Sequence, residues 1–294
     1  MGVWGMGLYA GDYAVDVRAA VSAALRLPFE TDRLLEVLCE QEKGVADNES
    51  DEDYATFWLV VADQLARRGI VCDRARDKAL EIIDRDQSIE MLQRLSATPA
   101  DIGKRRRMLE ELRGRLVGPM RSPSPRKVIT KPQPLIMQVG DVLVYPTSLA
   151  HPPSPYFRNR MSYGGQPFVQ DGWGAAVIVA CGLVFDFLAW YRPVTIVGLR
   201  IEKPDLDSLL GAQVWKLESP GTCPVLHWKR MEIEKIAALA IDNGKLASMF
   251  PSLLPGVRAA ISDLSLAGEL AVASEMYPSS TNRYLTTIAD LMRD

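Results

Sequence analysis

The 294 residues contain only two histidines, so imidazole chemistry has two places to occur. His151 lies in Ala150-His151-Pro152-Pro153-Ser154-Pro155, a stiff loop, and His227 precedes Trp228 in a segment that reads as a strand. No GxSxG elbow places a serine on a sharp turn, so no nucleophile–base pair is evident and no catalytic residue is assigned. Four cysteines (Cys39, Cys72, Cys181, Cys223) are scattered without a CxxC pair. Neither a zinc ribbon nor a disulfide framework follows, and a reduced, cytoplasmic protein is expected. No apolar run approaches the ~20 residues of a membrane span, and no basic stretch leads into an apolar one as in a secretory signal. Met6 stands where myristoylation calls for Ser or Thr. GxxxxGK[ST] is missing, and Gly2-Val3-Trp4-Gly5-Met6-Gly7 follows no strand, so a nucleotide cofactor is not expected. Thirty-four basic against 37 acidic residues leave a net charge of −3, which supplies no field toward nucleic acid or membrane.

Hydrophobic residues make up 48% of the chain, enough for one large domain or two ordinary ones. The first 18 residues alternate Gly2, Gly5, Gly7 and Gly11 with Trp4, Leu8 and Tyr9. Large apolar side chains between residues that permit close backbone approach predict a terminus packed into the body of the protein.

Residues 1–118 read as a helical domain. Asp12 caps a helix carrying Val17, Val21 and Leu25, which Pro28 ends; Thr31 precedes a second through Leu34, Leu35 and Leu38. Phe57 to Leu65 form another, stopped at Gly69, and Asp73 opens one through Ile83. Thr98-Pro99 is a strong helix start, with Ile102, Leu109, Leu112 and Leu116 along one stripe. Five prolines among basic residues make 119–134 an extended linker. Residues 135–250 then change to period two, with strands expected at 139–145, 175–181, 183–191, 194–197, 214–217 and 227–231. Long loops are expected at 146–172 and 200–212. Residues 251–294 form a proline-interrupted extension with a short helix from Tyr284 to Met292. The class is α+β: a helical domain, then a mainly antiparallel sheet or small barrel.

The acidic loop 47–53 alternates like an EF-hand, but Glu52 stands where the glycine belongs and Trp58 where the closing glutamate belongs. No metal site is assigned. Its acids instead face the positive end of the next helix. Lys104, Arg105, Arg106 and Arg107 are the densest basic cluster and, with the bases of 121–131, the one route to nucleic acid. Consecutive residues fan around a helix, Glu110 and Glu111 stand close, and no aromatic ladder accompanies them, so nucleic acid is disfavoured.

The opening Met1 to Tyr9 with Asp12, Ala14 and Asp16 resembles a bacterial family, known as a domain of unknown function, whose members begin Met-Gly-Ala-Trp-Gly-Thr-Gly. Val3 and Met6 depart from that pattern. Phe57 to Gln64, Lys78 to Asp84 and Val139-Gly140-Asp141-Val142 are similar to longer members. The resemblance implies no catalytic residues. Val139 to Val142 is also similar to the lead-in strand of some toxin-immunity proteins, which implies a protein partner. The expected function is a non-enzymatic, cytoplasmic protein-binding module of immunity or defence type, of open oligomeric state. Its expected contacts are Tyr156, Trp173, Trp190, Tyr191 and Arg192, because aromatics beside arginine anchor interfaces. The alternatives are nucleic-acid binding, as above, and an enzyme using Asp141, Asp171, Asp186 or His227.

Overall fold

The computed structural model describes residues 6–212, 215–249, 266–270, 284–285 and 287–293. They fall into two compact units that divide between Thr130 and Lys131. The opening Trp4 with Gly2 and Gly5, Val214, and Pro251, Pro255 and Pro278 lie outside the described residues.

The first unit holds helices α1 (Asp12–Ala24), α2 (Thr31–Gln41), α3 (Lys43–Ala46), α4 (Tyr54–Arg67), α5 (Asp73–Asp84), α6 (Gln87–Arg94) and α7 (Pro99–Val117). A helix apolar on every side belongs in the middle. Helix α4 is that helix: Phe57, Trp58, Leu59, Val60 and Val61 are all essentially inaccessible. Helices α1, α3, α5, α6 and α7 pack around it. The Thr98 side chain caps α7 by accepting from the Asp101 N–H, as Thr98-Pro99 predicts. At α1, Gly11 occupies the cap and Asp12 the first helical position, where its charge suits the helix dipole.

The stripe on α7 is Arg105, Leu109, Leu112 and Leu116, so one cation of the basic cluster is buried with the leucines. The proline-rich stretch is tied down as well as extended. Arg126 donates from Nε to the Leu25 carbonyl at 3.1 Å, from Nη1 to that of Phe29 at 2.8 Å, and from Nη2 to that of Leu27. Ser124 and Ile129 add backbone bonds to Arg68 and Arg26. These bonds satisfy carbonyls of the segment that follows α1 and of Arg68, the residue after α4.

The second unit is built on an open antiparallel sheet of six strands among the described residues, in the order β5-β1-β2-β3-β4-β6. These are β1 (Asp141–Thr147), β2 (Gly172–Val184), β3 (Leu188–Ile196), β4 (Trp215–Leu217), β5 (Glu234–Ala238) and β6 (Tyr284–Leu285). Alternation sends neighbouring residues to opposite faces. Val142, Val144, Val177, Val194 and Trp215 pack with one apolar cluster, and Leu143, Tyr145, Ala176, Ile178 and Tyr191 with another. Helices α8 (Leu206–Leu210) and α10 (Asn243–Met249) contribute to the first. Helix α11 (Leu266–Glu269) and the segment around α9 (Val225–Arg230) contribute to the second.

Four expectations differ, the first being that 200–212, expected as a loop, carries α8, capped by Asp205. Gly182 lies inside β2, and the turn comes at Phe185-Asp186, both with positive φ (49° and 63°), so Leu183 and Val184 end β2 while 188–191 and 194–196 join in the one strand β3 that pairs with it. Residues 227–231 are not a strand: Pro224 precedes a helical turn, and three basic residues sit at its C-terminal end. The expected helix at 284–292 is a two-residue strand followed by a 3₁₀ turn, Ala289–Leu291.

Candidate functional site

The five expected contact residues do not form one surface. Tyr191 is fully buried; its hydroxyl accepts from the Ile136 N–H at 2.8 Å and faces the Pro134 carbonyl. It holds the start of the sheet unit and is not a contact residue. Arg192 is half-buried, donates to the Glu218 carbonyl at 2.8 Å, and is shifted down by burial. Trp190 pairs with Gly182 and lies over it: a Cβ there would sit 3.1 Å from the indole nitrogen. Trp173 stacks with Lys203, whose Nζ is 5.5 Å from the ring centroid. Trp173 and the pair Gly182–Trp190 are nine positions apart along β2, roughly 30 Å.

Tyr156 has the company that the other four lack. It is 58% exposed, and its ring stands edge-on to Tyr163 at 6.5 Å and to His227 at 5.5 Å. Tyr163 in turn meets His151 at 5.3 Å. Both histidines of the chain thus join one row of rings, His151–Tyr163–Tyr156–His227. The loop carrying three of them is fastened at several points. Arg230 donates to the Pro155 carbonyl at 2.8 Å, and Arg160 grips Glu232 with two bonds (2.7 and 3.0 Å) while lying 4.5 Å over Phe168. Asp171 accepts from Thr147 Oγ1 at 3.2 Å and from the Leu149 N–H at 2.6 Å. At the tip, Leu149 and Ala150 both take positive φ (50° and 67°), a conformation that costs non-glycine residues energy. Leu149 is nevertheless 81% exposed. Phe157, Val169, Val225 and Leu226 are further exposed apolar groups on the same loop and on α9.

Burial lowers the pKa of both histidines, and Arg230 adds to the effect on His227. The Nδ1 of His151 is buried with no hydrogen-bond partner. A histidine whose folded pKa is depressed adds stability above its ordinary value of 6.5, and that stability is lost as pH falls. Melting between about pH 7 and about pH 5 is therefore expected to show a smaller loss for His151→Phe than for the wild type. An equal loss would mean that the imidazole takes up its proton alike in the folded and the unfolded chain.

The other expected residues are dispersed. Asp141 begins β1, accepts from the Gln138 N–H at 2.9 Å and pairs with Lys235 at 2.6 Å. Asp171 lies at the far end of β1, beside Thr147. Asp186 is in the β2–β3 turn, and His227 belongs to the ring row. No two of these four meet. In the basic cluster, Lys104 pairs with Asp101 and Arg106 with Asp86, while Arg105 is buried. Arg107 is exposed as well, so three of the four cations reach solvent and two of those three are ion-paired. Among the described residues no cluster of His, Cys, Asp or Glu could hold a metal ion, and no helix is long and apolar enough to cross a membrane.

Comparison with family profiles, with curated proteins and with solved structures yields no match.

Proposed function

We propose that the chain is a non-enzymatic module that binds a protein partner through the ring row His151–Tyr163–Tyr156–His227 and the exposed loop tip at Leu149. The observation that carries this reading is an exposed aromatic surface held in place by side-chain bonds. Tyrosine and histidine rings present a wide apolar area with polar edges, and anchors of this kind dominate interface energies. The Arg160–Glu232 and Arg230–Pro155 ties order the loop before a partner arrives, which lowers the entropy cost of association. A cytoplasmic, immunity-type role is the concrete form of the proposal. The similarity of Val139 to Val142 to immunity-protein strands supports it, as do four free thiols, which suit a reducing compartment. The bacterial family suggested by the opening motif remains part of the same proposal. Dispersal of Asp141, Asp171 and Asp186 favours binding over catalysis, and the pairing of Lys104 and Arg106 disfavours nucleic acid.

The experiment is a pull-down from source cells with the full chain and with a Leu149→Ala/Tyr156→Ala variant. Both substitutions remove exposed groups, so folding is retained and checked by circular dichroism. The wild type is expected to retain a specific protein, and the variant at least about tenfold less, the effect of a hot spot near 1.4 kcal/mol. Identical recovery by both baits would defeat the proposal.

A further inference from the structure

In the helical unit, Arg105 is 8% exposed, and every partner it has among the described residues is neutral. Its Nε donates to Ser88 Oγ at 2.8 Å and its Nη1 to the Gly7 carbonyl at 3.3 Å. No carboxylate among the described residues stands against it, and burial alone pulls its pKa down to about 10. A guanidinium carries five N–H donors in a fork that matches a carboxylate. Burying such a charge uncompensated is costly, so its persistence in a packed interior calls for an explanation. Arg105 lines a cavity of about 110 Å³ that opens to solvent and is lined by the segment 6–14, the start of α4, α6 and α7. Met91 and Leu92 of α6, with Leu95 just after it, supply an apolar wall.

We infer that this cavity binds a small monocarboxylate with a short apolar body, its carboxylate received by the Arg105 fork and its body against Met91 and Leu92. Size and charge set the class. A cavity of about 150 Å³ accepts benzene, so this one takes a body of about four carbons. Asp12 and Asp53 also line the cavity, so the local field favours one negative charge over two and disfavours phosphate. This site lies in the helical unit and does not depend on the protein-binding reading of the sheet unit.

The test is calorimetric titration of butanoate into the full chain, with butanamide as a neutral probe of the same shape and inorganic phosphate as a dianion. Butanoate is expected to give saturable heat, and butanamide and phosphate none. Arg105→Met places an apolar chain where the guanidinium lay, so it is expected to melt no lower than the wild type and to lose the butanoate signal. Arg105→Lys, which keeps the charge and loses the fork, is expected to bind at least tenfold more weakly. If Arg105→Met does not melt cooperatively, Leu92→Trp replaces it, filling the cavity from the α6 side and abolishing the heat. Absence of butanoate heat, equal binding of butanamide, or undiminished binding by the variants overturns the inference, and stronger binding of phosphate overturns the monocarboxylate assignment.

Discussion

Asp63→Ala is expected to lower the stability of the helical unit by about 3 kcal/mol, read from the urea midpoint of its far-ultraviolet circular dichroism. The Asp63 carboxylate is wholly buried on α4 and receives three donors. Tyr9 donates its hydroxyl to Oδ2 at 2.5 Å, Arg67 donates Nε to the same oxygen at 2.6 Å, and Arg115 donates to Oδ1. Gln64 donates to the Tyr9 hydroxyl, and Arg68 holds Gln64 Oε1 at 2.5 Å. Removing one member of a buried pair typically costs about 3–5 kcal/mol, because the survivor is left uncompensated. The lower figure applies here because Arg67 and Arg115 are 50% and 35% exposed and can turn to water. Burial and the bond to Asp63 push the Tyr9 hydroxyl up to about 12, so it remains a donor across the physiological range. Tyr9→Phe removes that one bond and is expected to cost about 1 kcal/mol. If Asp63→Ala costs no more than Tyr9→Phe, the arginines gain nothing from the carboxylate.

Gly140→Ala is expected to cost at least about 3 kcal/mol in the sheet unit. Gly140 has φ +92°, and a Cβ there would come within 2.0 Å of the Leu239 carbonyl oxygen, which is backbone and has no rotamer to escape into. Gly140 also donates its N–H to the Ile178 carbonyl and accepts from the Leu239 N–H, so it cannot move away without opening the β1 lead-in. Gly114→Ala gives the opposite sign. Gly114 lies exposed inside α7 with nothing within 4 Å of its would-be Cβ, and alanine there stabilises by about 0.5–1 kcal/mol. Tryptophan fluorescence, with four of the six tryptophans in the sheet unit, weights the reading toward the first variant, and helical dichroism weights it toward the second. Equal and small effects at both positions would contradict the geometry at Gly140.

Several elements were legible because their signals are local. The all-apolar run Phe57 to Val61 reads as a buried helix, and Thr98-Pro99 reads as a cap, because each depends on a few neighbouring residues. The β2–β3 turn is hidden in the sequence because Phe185 and Asp186 take positive φ without glycine, while Gly182, which separates the strands expected at 175–181 and 183–191, serves as the seat for Trp190. The burial of Tyr191 is legible: period two places it on the face opposite Trp190, so adjacent aromatics on one strand cannot form one surface. Arg105 was also within reach, since it continues the stripe of Leu109, Leu112 and Leu116 toward the start of α7. The ring row was not. His151 and His227 are brought into one row by a loop closure that no spacing rule records.

The Arg126 fork imposes an order of events during synthesis. Its acceptors, the carbonyls at 25, 27 and 29, leave the ribosome about a hundred residues before the guanidinium that covers them, with separations of 97 to 101 positions. At about 5–20 residues per second, the segment after α1 waits roughly 5–20 seconds for the guanidinium. Those three carbonyls are therefore covered by the guanidinium only when the proline-rich stretch has emerged, and translation speed through codons 30–126 sets how long they wait.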